Sequence, residues 1–222
     1  MLKNKSKEEK QAIILAAAKE LFAQQGYGGT TIDEIAAKAN IGKGSVYNYF
    51  QNKEQLFFTI VCTINQPFTN KLQEISDDNI SPIEKINQMA YEFLMFYKDN
   101  ADIWIILVEE MKALSFLDKK SLTTAKQLTK RNKNFQQTAL QEAEFLRYQG
   151  QIRQTFAMLK NAIQEGIQQK MFRDQSADAT TCSFFAVLML LAFTGYIQDP
   201  AEDAANMANN FLYGLVTPTT KN

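Results

Sequence analysis

Between Thr30 and Leu56 the chain carries two helix-start signals with a helix-stop signal between them, a pattern with room only for short helices meeting at tight turns. Thr31 is followed three residues later by Glu34, the spacing at which a hydroxyl and a carboxylate cap each other's backbone amides. Ile32, Ile35, Ala36 and Ala39 then recur at the three- and four-residue steps of one helical face. Ala36 is small enough to let a second helix approach. Asn40 tolerates the left-handed conformation that ends helices, and Gly42 follows. A second helix is expected over residues 43–50, about 12 Å long at the usual rise. Asn52, with Gln55 three residues on, opens a third.

Two short helices at such a turn form a helix-turn-helix unit, whose second helix can enter a DNA major groove. Val46 and Phe50, four residues apart, share the buried side of that helix and turn its polar groups outward. Lys43 and Lys53 flank it and can neutralise phosphates. The hydroxyls of Tyr47 and Tyr49 can meet phosphate oxygens, Ser45 and Asn48 can reach base edges, and Thr31 and Gly44 are counted with them as DNA-binding candidates. The same pattern also suits an ordinary surface helix in an all-helical bundle, because fold alone does not fix function.

The stretch, with Gly26-Tyr27-Gly28-Gly29 before it, resembles the amino-terminal domain of TetR-type transcriptional regulators, the tetracycline-repressor family. The resemblance rests on Leu21-Phe22, Gly26-Tyr27, Thr30-Thr31-Ile32, Ile35-Ala36, Ala39, Lys43-Gly44, Val46-Tyr47, Tyr49-Phe50 and Lys53-Glu54-Gln55-Leu56, in order and without gaps. It implies an all-α chain: a three-helix DNA-binding domain over residues 1–52, then a larger helical ligand-binding and dimerisation domain over 53–222. Two positions depart from the family pattern. Gly42 stands where a serine or threonine usually caps the recognition helix, and Asn40 where glycine is usual. The first removes a hydroxyl that would meet phosphate or base.

Charge adds little. Lys and Arg balance Asp and Glu at 24 each, and residues 1–56 hold eight lysines against six acidic residues, an excess too small to announce nucleic acid by itself. That segment has no arginine, so Lys43 is the one recognition-helix candidate for a guanine contact of the commonest kind. The amino-terminal lysines Lys3, Lys5 and Lys7 add either phosphate contacts or a frayed, solvated end. No secretory leader is read in the lysine-rich start, and Cys62 and Cys182, both in apolar helical patterns, read as buried thiols of a reducing, cytoplasmic compartment.

Ser6 with Glu9 predicts the start of the first helix and Gly26 its end. Beyond residue 53 further helices are expected over about 53–76, kinked or split at Pro67, then 82–98, 101–115, 118–148 with a break near Gly150, 151–170, 176–198 and 201–216. Residues 184–193 are uninterrupted apolar sequence, half the length a membrane span needs at about 20 residues, and so must be covered on several sides. With Met207, Phe211 and Leu215 on the next helix, Phe184, Leu188 and Leu191 suit either a purely internal core or a four-helix interface across a twofold axis, the use the resemblance implies.

The middle helices could wall a site for an apolar or amphipathic inducer: Tyr91, Phe96, Trp104 and Met111 as lining, Arg147 as a polar group. An aromatic stripe at helical spacing can equally be plain core. With no histidine, no phosphate loop and no dinucleotide glycine motif, the chain lacks the usual means of acid–base, triad or nucleotide chemistry, and neither an enzyme nor a metal or other cofactor is expected. The sequence therefore points to a homodimeric regulator, most simply a repressor, that binds double-stranded operator DNA and responds to a small molecule. The competing reading is a helical scaffold or adaptor without DNA binding.

Overall fold

The computed structural model describes residues 6–113, 139–194 and 199–215, with side chains over 6–107, 143–191 and 199–211. Among these residues there are nine helices and no strand: α1 (Lys7–Gly29), α2 (Ile32–Lys38), α3 (Lys43–Tyr47), α4 (Lys53–Asp77), α5 (Pro82–Asp99), α6 (Ala101–Ala113), α7 (Ala139–Gln168), α8 (Ala177–Thr194) and α9 (Pro200–Leu215). The chain divides into two compact units, Met1–Thr63 with Asp102–Tyr148, and Ile64–Ala101 with Gln149–Asn222. The expected domain boundary at residues 52/53 falls inside the first of these.

In the first unit, α1 to α3 and the start of α4 bury one apolar cluster. Ile14, Ala18 and Phe22 of α1, Ile35 of α2, Val46 of α3, Phe50 and Leu56 are all closed to solvent. Phe57 locks the cluster edge-on, its ring 5.6 Å from Phe22 and 5.2 Å from Tyr27. Gly26, at φ 75° and ψ 170°, breaks the helical path of α1 where Tyr27 must turn back onto that cluster. A side chain there would be strained whatever the space around it. Further along the unit Phe58 meets Phe145 at 5.3 Å, and the buried Cys62 thiol donates to the Glu144 carbonyl.

The second unit is held by aromatic contacts between distant stretches of sequence. Phe68 stacks on Phe96 at 4.4 Å, and Phe93 and Phe156 both pack on Phe185, at 5.1 and 4.5 Å. The Tyr97 hydroxyl donates to the Met189 sulfur at 2.9 Å, and Phe184 meets Phe211 at 4.7 Å. Lys85, nearly buried, reaches Glu165 at 3.1 Å.

Four expectations are corrected and a fifth lies partly outside the described residues. The helix expected to kink or split at Pro67 is not split and runs on as α4; proline removes only the amide that would have bonded the Thr63 carbonyl, and the buried Leu56, Ile60, Leu72 and Ile75 on either side keep the helix seated. The break expected at Gly150 is absent, for α7 passes through it with the buried Tyr148 and Gln151 beside it. The helix expected over residues 118–148 has its segment 118–138 outside the described residues. The recognition helix is shorter than expected: α3 ends at Tyr47, and the amides of Tyr49 and Phe50 close a tighter turn on the Val46 carbonyl. Finally, Cys182 is exposed rather than buried, and neither cysteine is in a disulfide. It lies on the open side of α8, whose covered side carries Thr181, Phe184 and Leu188.

Candidate nucleic-acid interface

The turn that presents α3 is built from local bonds. The Glu34 amide donates to the Thr31 hydroxyl at 3.2 Å while the Thr31 amide donates to the Glu34 carboxylate at 2.8 Å. The Thr31 hydroxyl donates to the same carboxylate, and this bond first holds the Glu34 carboxyl below its usual range. α2 ends in a two-bond cap: Asn40, left-handed at φ 55°, donates to the Ala37 carbonyl, and Ile41 donates to that of Ala36. The chain then enters α3 at Gly42, an extended residue at φ −72° with no side chain to cap the helix.

α3 seats Val46, fully buried, with Phe50 closing the turn beneath it. On the opposite side Lys43, Gly44, Ser45, Tyr47 and Asn48 are exposed, Tyr47 to 46%, and Tyr49 is half-covered. The structure thus brings together six of the eight residues singled out for DNA on a single outward edge. Thr31 is exposed too, but its hydroxyl is committed to the cap.

Lys53 is placed differently. Its ammonium donates to the carbonyls of Tyr27 and Thr30, at 2.7 and 2.8 Å, and lies 4.2 Å from the centre of the Tyr27 ring. It ties the start of α4 to the turn between α1 and α2, with one of its three donors beyond those two carbonyls. Lys43 Nζ meets the Asp33 carboxylate at 2.8 Å; that hydrogen bond, with the attraction of the charge, raises the lysine above its ordinary range. Reasoning from sequence missed Asp33 and Tyr27. Asp33 is ten residues from Lys43 and meets it only because Asn40 reverses the chain.

The residues proposed for an inducer are drawn from both units. Tyr91 and Phe96 belong to the second unit, where Tyr91 is exposed and Phe96 lies against Phe68. Trp104 and Arg147 belong to the first, Trp104 buried near Tyr148 and Arg147 exposed at 3.7 Å from Glu144. Met111 lies in α6 with its side chain outside the described residues. Of the residues proposed for association, Phe184, Leu188 and Met207 are buried within the chain itself and Leu191 and Phe211 are partly covered, while the side chain of Leu215 is outside the described residues. Among the described residues the large apolar side chains exposed on α8 are Val187, at 41%, and Leu190, at 63%.

Comparison with known proteins bears on the same segment. Residues 14–60 match the family described as bacterial regulatory proteins, tetR family. The HTH-type transcriptional regulator YhgD of Bacillus subtilis (strain 168) is 32% identical over 113 residues, 46% of this chain and 59% of that protein. The biofilm operon icaADBC HTH-type negative transcriptional regulator IcaR of Staphylococcus epidermidis is 36% identical over 81 residues, 36% of this chain and 43% of that one. The chain thus spans about half the length of the relatives it matches. A regulatory protein of the tetR family from Rhodococcus RHA1 superposes with a TM-score of 0.71 at 20% identity, covering 96% of this chain and 98% of the other, a likeness of fold.

Proposed function

We propose that the chain, which matches the tetR family of bacterial regulatory proteins over residues 14–60, is a DNA-binding transcriptional regulator of that kind, a homodimeric repressor released from a palindromic operator by a small, largely apolar ligand. One observation carries the reading: Val46 and Phe50 pin a short helix whose other side offers Lys43, Ser45, Tyr47 and Asn48 to solvent. Buried apolar residues fix the angle of the helix, and its exposed hydroxyl, amide and ammonium groups are of the kinds that bond phosphates and base edges. A helical scaffold would have no need of that arrangement. No helix among the described residues is long and apolar enough to cross a membrane, and the proposed site of action is the cytoplasm.

A second copy would cover the open side of α8, where Val187 and Leu190 are exposed, together with the partly covered Leu191 and Phe211. Twofold pairing there would match half-sites about 34–36 Å apart, or at a related spacing. Ligand and DNA would then weaken one another through α4, whose residues 53–63 belong to the first unit and 64–77 to the second. The test is a set of binding-site profiles for the wild-type chain and for Ser45→Ala and Asn48→Ala. Each substitution is expected to relax preference at particular base pairs by about 1–3 kcal/mol. Unchanged profiles would remove α3 from base reading.

A further inference from the structure

Residues 31–53 contain three cations, and each is engaged within the head. Lys38 Nζ lies 2.6 Å from the Glu20 carboxylate, Lys43 Nζ 2.8 Å from that of Asp33, and Lys53 is held by two carbonyls. Lys43 alone stands on α3. Its partner Asp33 occupies the first turn of α2, and both side chains are more than half exposed. Asp33 accordingly sits on the same open surface that would face a duplex.

A carboxylate there acts twice. It occupies the Lys43 ammonium through a charge-assisted hydrogen bond, and it repels any phosphate that approaches the same nitrogen. Sequence-independent binding depends on lysines reaching phosphates wherever the protein lands, each contact releasing counterions. A lysine already neutralised contributes little to such encounters. An exposed ion pair is nonetheless weak enough to open when a particular site offers the ammonium a better-placed acceptor.

We infer that Asp33 is a specificity-determining residue, which withholds Lys43 from indiscriminate phosphate contact and yields it only at a matching site. The inference rests on the DNA-binding reading and adds to it a role for an acidic residue on a surface meant for a polyanion.

The full chain should be titrated with a mixed-sequence duplex several helical turns long, by fluorescence anisotropy over a series of salt concentrations. Four proteins are compared: wild type, Asp33→Asn, Lys43→Met and the double variant, with thermal melts confirming that each is folded. Asp33→Asn relieves repulsion in either background, so the deciding quantity is the ratio of its effects with and without Lys43. The tightening should be about two- to fivefold greater where Lys43 is present, the range expected of one exposed pair. The salt slope should steepen by about 1 in the Asp33→Asn chain, as for one added phosphate contact. Equal or smaller tightening with Lys43 present would overturn the inference, since Asp33 would then be acting as a bystander charge. Should Asp33→Asn fail to fold, Asp33→Ser in the same cycle decides the matter. If no variant binds duplex at any salt, the DNA-binding reading itself fails, a result distinct from equal tightening.

Discussion

The head over residues 6–56 and the aromatic interior of the second unit are secured by contacts of different reach. In the head the capping bonds that start its helices join near neighbours, Ser6 with Glu9, Thr31 with Glu34, and Asn52 with the Gln55 amide, and Lys53 adds a longer tie to the Tyr27 and Thr30 carbonyls. In the second unit Phe93 meets Phe185, Tyr97 meets Met189, and Lys85 meets Glu165 across 80 or more residues. Local caps set angles and edges, each contributing about 1 kcal/mol. Distant aromatic packing supplies bulk burial, each ring contributing several times as much. The difference suits the two tasks: a surface that must be presented at a fixed angle needs many small constraints, while an interior that holds the chain together needs area.

That contrast can be broken by substitution. Phe93→Ala, which removes a buried ring touching Phe68, Tyr97 and Phe185, should cost about 3–5 kcal/mol in urea unfolding. A loss below about 1 kcal/mol would show the aromatic interior to be loosely packed. Thr31→Ala, which deletes the α2 cap, should cost about 1 kcal/mol, with faster hydrogen exchange concentrated in residues 32–38. Faster exchange spread evenly along the chain would deny the head its local character.

Gly150→Ala should act in the opposite direction. The helix passes through Gly150 and no atom lies within 4 Å of an added Cβ, so stability should rise by about 0.5–1 kcal/mol. A lower midpoint in urea would mean that α7 is not helical at that position. The smallest effect at neutral pH belongs to Cys62, whose thiol burial pushes up to about 12 from an ordinary 9.0, with the Glu144 charge adding to it. The folded state keeps a proton that the unfolded chain loses. The stability from this group is therefore complete below pH 9 and falls as pH rises from there towards 12. Burial also raises Tyr148, which extends the decline into stronger alkali. Cys62→Ala should flatten the fall between pH 9 and 11 while leaving the Tyr148 portion; identical curves would place the thiol in contact with solvent.

What could be read from residues alone follows the same division. The boxes at Ser6–Glu9 and Thr31–Glu34 were legible because a cap is written within four residues. Asn40 was legible because few residues tolerate φ 55°, and Val46 with Phe50 because their spacing names a buried side. The length of α3 was not, since its end depends on how Tyr49 and Phe50 turn back to one carbonyl. Gly150 was read as a break and Pro67 as a kink or split because their intrinsic cost is local, whereas the packing that outweighs it is not. Cys182 was assigned to a core because an apolar run does not reveal which of its sides is covered. The Asp33–Lys43 pair left no trace in spacing, although it offsets the charge foreseen on α3.

The central claim is that the outward edge of α3 reads duplex DNA, and the most direct test is selection by the purified full chain from a randomised duplex pool. The account predicts convergence on a palindromic motif whose half-sites lie about 34–36 Å apart or at a related spacing, with enrichment lost at defined positions in Asn48→Ala. A folded chain that retains duplexes without enriching any sequence, or retains none, would contradict it.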